Sequence, residues 1–323
     1  MSMACSSTIA RVWVLMLLFG CLPWVEPAAT TSVVHNPPGP TVLQRRLPPT
    51  AVRLDETLTF QVLDLDPDLP NALVYVHGDA GTFDYFAPQV AHFRGRYRQV
   101  LYEREDCGQT RCLGCRIGYA ASAHNLRRLL HQLGIGAHVV LGHSRGQELG
   151  AVYFSLRPEG LRGFIASGTA VLVEPSTSAK REAEELLRCH RAGALDLNRQ
   201  CLDDLEPKVV ALHQGLGCSV EEAREMVRYA CSSWRPNAGI LGGLDVSIGE
   251  QLASIEVPML QLDGAAYRRE IDRREAMTRH YRHGRLVLFP GAGHVPHLEQ
   301  PVAFNRAVEE FLDEIGFAPA ARW

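Results

Sequence analysis

Between His138 and Leu156 the chain reads HVVLGHSRGQELGAVYFSL, and this stretch leaves few choices of fold. Val139, Val140 and Leu141 make a short apolar run suited to a buried strand, whereas Leu149, Val152, Tyr153 and Leu156 recur at the i, i+3, i+4, i+7 spacing of a helix face. Gly142-His143-Ser144-Arg145-Gly146 lies between them. A strand that turns straight into a helix needs neighbours without side chains at the junction, and Gly142 and Gly146 supply them on either side of Ser144. The turn predicts a serine hydroxyl raised above the end of its strand, the position of an attacking nucleophile.

The rest of the chain repeats the alternation. A loosely alternating stretch over Leu54 to Asp64 predicts an edge strand in a hairpin or meander. Ala72 to Val76 is a continuous apolar run that breaks into His77-Gly78-Asp79-Ala80-Gly81. Such a loop at a strand end can offer the backbone N–H of Asp79, to be paired with that of Arg145, as an oxyanion hole. Further strands are predicted at Arg98 to Glu103, Gly163 to Ser167, Met259 to Leu262 and Arg285 to Phe289, with helices at Ala121 to Leu133 and Val302 to Ile315. Strands alternating with helices imply an α/β fold with a mostly parallel central sheet covered on both faces. Residues 171–254 carry no convincing strand and read as an inserted helical cap, within which Ser219 and Glu222 form a capping box ahead of Val220, Ala223, Met226, Val227 and Ala230. The α/β core is thus expected over 54–170 and 255–323.

Residues 1–29 read as a signal or targeting segment, because Arg11 precedes an apolar run from Val12 to Gly20 that is too short to span a bilayer comfortably. Leu18-Phe19-Gly20-Cys21 resembles a lipidation site at Cys21, and cleavage near Ala28 or Ala29 or an uncleaved anchor are the alternatives. Export, with a possible membrane tether through the N-terminus, is the expectation. Residues 30–53, with Pro37, Pro38, Pro40, Pro48 and Pro49, read as an extended tether. A net charge of −3, with arginines dispersed rather than clustered, argues against a nucleic-acid partner and leaves a small-molecule substrate.

The motifs HGDAG at 77–81, GHSRG at 142–146 and PGAGHVPHLEQP at 290–301 together resemble the α/β-hydrolase superfamily, specifically its capped esterases, C–C hydrolases and proline iminopeptidases. The resemblance spans roughly residues 54 to 316 and implies the α/β-hydrolase fold, with Ser144 as nucleophile, His294 as general base, and the N–H groups of Asp79 and Arg145 as the oxyanion hole. No cofactor or metal is implied. The chemistry asks for the same types: a neutral serine hydroxyl needs an imidazole to take its proton and return it to the leaving group, and among 13 histidines only His294 stands on a suitable glycine loop. His143 either lines the pocket or packs beneath the turn, and His297 is expected to be structural.

The acid departs from the pattern. In the resembling families a carboxylate follows the glycine of the second-last strand by three residues, and here that count from Gly264 reaches Tyr267. Asp263 is the preferred substitute, since it stands at the carboxyl end of its strand; Glu270, Asp272 and Glu174 are the alternatives. An exported chain also predicts two disulfides among Cys189, Cys201, Cys218 and Cys231 in the cap, and a loop disulfide rather than a zinc site among Cys107, Cys112 and Cys115. The expected function is a serine hydrolase of carboxylic esters or a related small acyl substrate. The alternatives are a proline iminopeptidase-like aminopeptidase, disfavoured by HGDAG in place of HGGPG, and a non-catalytic binding protein on the same scaffold.

Overall fold

The computed structural model describes residues 47–168 other than Ala80 and Asp106, part of 185–203, and residues 219–233, 256–266 and 283–320. The expected leader, Cys21, most of the tether and cap, and the alternative acids Glu174, Glu270 and Asp272 lie outside those residues, as does Tyr267.

Nine strands of the described residues form a single sheet: β1 Thr50–Arg53, β2 Leu58–Leu65, β3 Ala72–Val76, β4 Arg98–Tyr102, β5 Arg111–Cys112, β6 His138–His143, β7 Leu161–Ser167, β8 Met259–Gly264 and β9 Gly284–Phe289. Their order is β1-β2-β4-β3-β6-β7-β8-β9, with β5 paired to β2. From β4 to β9 every pairing is parallel, whereas β1, β2 and β5 join antiparallel. β3, β6 and β8 are buried at every residue and read as largely apolar runs, whereas β9, at the end of the strand order, is half-buried at all but Phe289.

Successive side chains of those strands feed two separate cores. Val74, Val76, Val100, Val140, Phe164 and Ala166 pack under α2 (Tyr119–Gln132) and α3 (Arg145–Ser155). Leu73, Tyr75, Leu101, Val139, Leu141 and Ile165 pack on the other side under α1 (Ala87–Phe93) and α6 (Pro301–Glu314). Burying a side chain such as Leu141 or Ile165 contributes about 1.5–3 kcal/mol, so this alternation is what holds the sheet between its helices.

Four expectations need correction. Thr50–Arg53, taken as the end of the tether, is a strand: past Pro48 and Pro49 the backbone regains its N–H donors, and Val52 turns into the core while its neighbours stay exposed. The strand expected at an edge is interior, because β1 covers one side of β2 and β4 the other. It starts at Leu58 after a tight turn in which Asp55 Oδ1 accepts from the N–H groups of Thr57 and Leu58 at 2.9 and 3.0 Å. The strand expected over Met259 to Leu262 runs on to Gly264, so that Asp263 is its penultimate residue, still at its carboxyl end. Finally, Cys231 is a free thiol on the buried stripe of α4 (Val220–Ser233), where it packs as a small apolar side chain. Two cap disulfides among the four cysteines are therefore not present. Cys189 is disulfide-bonded, and Cys112 pairs with Cys115 across the β5 loop. In α4 the capping box forms: Ser219 N–H donates to Glu222 at 2.9 Å and Glu222 N–H donates to Ser219 Oγ at 3.1 Å.

The start of α3 lies tight against the end of β3. A Cβ on Gly146 would lie 1.9 Å from the Val76 carbonyl oxygen, and one on Gly142 would lie 2.4 Å from the Gly146 carbonyl oxygen. Both obstacles are backbone, so no side chain can move aside. Gly146→Ala is accordingly expected to destabilise by more than about 4 kcal/mol or to prevent folding, whereas Gly136→Ala, which meets nothing within 4 Å, should stay within about 1 kcal/mol of wild type in urea melts.

Candidate active site

Ser144 sits between β6 and α3 with φ 52° and ψ −123°, a conformation that a residue with a side chain adopts only under constraint, at a cost of about 1–3 kcal/mol. Every residue from His138 to Phe154 is buried except Ser144, which is half-exposed. The strained turn thus presents one side chain, the serine hydroxyl, to the outside of the sheet. Its own N–H is spent on the Ser167 carbonyl at the end of β7, at 2.8 Å.

His294 follows β9 on the loop Pro290-Gly291-Ala292-Gly293, and Glu299 in the short helix α5 (Pro296–Glu299) braces that loop by accepting from the N–H groups of Gly293 and Val295. The Nδ1 of His294 lies 2.9 Å from the Gly168 carbonyl, which can only accept, so Nδ1 carries the proton and Nε2 is left basic. Asp263 was expected to take that Nδ1–H directly. The carboxylate, fully buried, accepts the Gly168 N–H at 2.6 Å and the Gln261 side-chain amide at 2.7 Å, and Gly168 thereby links it to the histidine. Ser167 and Gly168 therefore touch Ser144, His294 and Asp263 at once.

His143 packs beneath the turn. It is fully buried among His297, His294 and Tyr85, and burial together with the neighbouring His297 and His294 pushes its pKa well below the usual histidine value. A neutral ring has one N–H. Nε2 faces the His294 carbonyl at 2.7 Å and must donate, so Nδ1 accepts from the Tyr85 hydroxyl at 2.9 Å. The residue beside the nucleophile thereby holds the backbone of the expected base. Gly168, at φ 93°, leaves room for this bond: a Cβ there would lie 2.4 Å from His143 Nε2.

The loop after β3 faces the same region, where a Cβ on Gly78 would meet the Ser144 Cβ at 3.1 Å. His77 ties that loop down, with Nδ1 donating to the Gly78 carbonyl at 2.7 Å and Nε2 accepting the Arg104 N–H at 3.1 Å. Burial and the charge of Arg104 lower the His77 pKa to about 3, which keeps the ring in this neutral form. The Asp79 carboxylate is bonded by the side chains of Arg104 and Arg145. Arg145 also donates to the Tyr119 hydroxyl, itself bonded to Glu148. From α4, the Tyr229 hydroxyl donates to the buried Glu103 at 3.0 Å.

The structure thus gathers Ser144, His294, Asp263, Asp79 and Arg145 at the carboxyl ends of β3, β6, β8 and β9. The sequence reading missed Gly168, Arg104 and the bracing role of His143. A Ser-Gly pair closing β7 and an arginine embedded between two glutamates just past β4 were the available signals.

A sequence profile described as the alpha/beta hydrolase family matches residues 73–307. A Bacillus subtilis protein named as a candidate 2-succinyl-6-hydroxy-2,4-cyclohexadiene-1-carboxylate synthase is 23% identical over 283 residues, covering 82% of this chain and 98% of that protein. Among solved structures, a thermophilic esterase from Thermogutta terrifontis superposes with a TM-score of 0.63 at 21% identity, covering 83% of this chain and 97% of the other. A proline iminopeptidase from Mycobacterium smegmatis superposes with a TM-score of 0.59 at 20% identity, covering 83% and 98%. At these identities the superpositions speak for the fold.

The buried histidines make stability depend on pH. For His77 the folded pKa of about 3 lies below the ordinary 6.5, so the unfolded chain binds the proton first as pH falls. Stability is complete above about pH 6.5 and is lost progressively below it, at up to about 1.4 kcal/mol per pH unit for each such ring. His138 and His143 shift in the same direction. Thermal melts should show Tm falling between pH 6.5 and 4, and His77→Gln should lessen the slope.

Proposed function

The chain belongs to the alpha/beta hydrolase family, and on that premise we propose that it is a serine hydrolase of carboxylic esters or related small acyl substrates, working through an acyl-enzyme on Ser144. The observation that carries this reading is the strained, partly exposed Ser144, in a turn bonded to Ser167 at the end of β7, whose next residue, Gly168, supplies the carbonyl that fixes the tautomer of His294.

In the proposed reaction the His294 Nε2 takes the Ser144 proton as the hydroxyl oxygen attacks the acyl carbon. The oxyanion that forms is met by the N–H groups of Asp79 and Arg145, and His294 then protonates the leaving alkoxide. Water repeats the sequence to release the acid. Asp263 keeps Gly168, and through it the imidazole, in position. We further propose that the protein is exported, on the strength of residues 1–29; a Cys112–Cys115 bridge fits an oxidising compartment.

A panel of short- and long-chain p-nitrophenyl esters run against aminoacyl-anilides tests the reading. Ester turnover should dominate, and Ser144→Ala should lower kcat by about 10⁵–10⁶ without altering the melting temperature by more than a few degrees. Turnover confined to the prolyl anilide would favour the iminopeptidase alternative, and no turnover would favour the binding scaffold. Ester turnover that persists in Ser144→Ala would end the proposal.

A further inference from the structure

Arg104 lies just beyond the end of β4 and is one of the largest fully buried side chains of the protein, at 2% exposure. A guanidinium is always charged, and burying it costs several kcal/mol unless its partner is well placed. One partner is Asp79. Arg104 donates to Asp79 Oδ1 at 3.0 Å, and Arg145 Nε donates to Asp79 Oδ2 at 2.6 Å. One carboxylate is thus held from both sides, by an arginine past β4 and by the arginine that opens α3. The main chain of Arg104 adds a second tie to the same loop, through its N–H bond to His77.

We infer that Arg104 is a positioning residue, whose bond to Asp79, together with that of Arg145, locks the loop after β3 against the start of α3 so that the Asp79 and Arg145 N–H groups address one oxyanion. This rests on the proposed use of those two N–H groups. The geometry favours it over a purely structural role for a specific reason: the bridged side chains belong to the same two residues whose backbones are to act together. Oxyanion donors act only when aimed within a few tenths of an ångström, about 2.7–3.1 Å from where the negative oxygen will be. A carboxylate bonded to both sides fixes the relation between the two N–H groups before substrate arrives, and stabilises the transition state without changing substrate binding.

Arg104→Met tests this, because it removes the guanidinium while keeping most of the apolar stem, the main-chain bond to His77 and the Arg145–Asp79 pair. On the best p-nitrophenyl ester, kcat should fall about 10- to 100-fold while KM changes less than about threefold. Affinity for a trifluoromethyl ketone, which forms a tetrahedral oxyanion adduct, should fall by a similar factor. Arg104→Lys, which keeps the charge but not the fork of donors, should recover part of the loss and remain about three- to tenfold below wild type. A folded Arg104→Met with wild-type kcat and ketone affinity overturns the inference, as does a loss expressed mainly in KM. Should Arg104→Met fail to fold, Arg104→Lys decides on its own: wild-type kcat overturns the inference. Ser144→Ala, run alongside, separates the two readings. If turnover depends on Ser144 but not on Arg104, only the clamp is wrong; if it does not depend on Ser144, the clamp falls with the proposed reaction.

Discussion

The absence of a side chain at Gly146 is the constraint on which the rest of the site depends. With the Val76 carbonyl 1.9 Å from where its Cβ would be, the first turn of α3 sits directly against the end of β3. That contact leaves the chain too little room for a relaxed loop after β6, and Ser144 takes up the difference in a backbone conformation at φ 52°. Strain of this kind persists only where the surroundings over-determine it. Here they do: β6 is paired on both sides by parallel strands, and the whole stretch from His138 to Phe154 is buried apart from Ser144.

Around that turn the protein uses backbone groups to bring side chains together. The Ser167 and Gly168 main chain meets the nucleophile's N–H, the carboxylate of Asp263 and the imidazole of His294, while His143, neutral because it is buried, holds the His294 carbonyl. A main-chain carbonyl fixes the tautomer of an imidazole as well as a carboxylate does, but brings no full negative charge to an imidazolium. In the proposed chemistry Asp263, bonded to the Gly168 N–H, helps to hold that carbonyl in place. On the opposite side of Ser144 the arrangement is ionic, two buried arginines sharing Asp79.

What could be read from the chain was local. The place of Ser144 in a strand-to-helix turn was legible because its glycines, its strand and its helix are contiguous, and that of His294 because a glycine loop directly follows an apolar strand. The parallel core was legible because doubly buried strands are apolar throughout. Less legible were features set by partners far along the chain. Asp263 meets Gly168 across 95 residues and Asp79 meets Arg145 across 66, and no spacing rule connects such positions. Val52 looked like part of a proline-rich tether until β2 was there to pair with it. Cys231 looked like half of a disulfide, since composition and compartment cannot distinguish a bridging sulfur from one that only fills a helix stripe.

On the proposed reading, the turn between β6 and α3 carries an activated serine. Incubating the folded protein with a fluorophosphonate at neutral pH and mapping the adduct by peptide mass spectrometry tests it without knowledge of the substrate. Near-stoichiometric modification at Ser144, slowed steeply in His294→Ala, is the expected result. A folded protein that remains unmodified, or one modified chiefly at another serine, would contradict it.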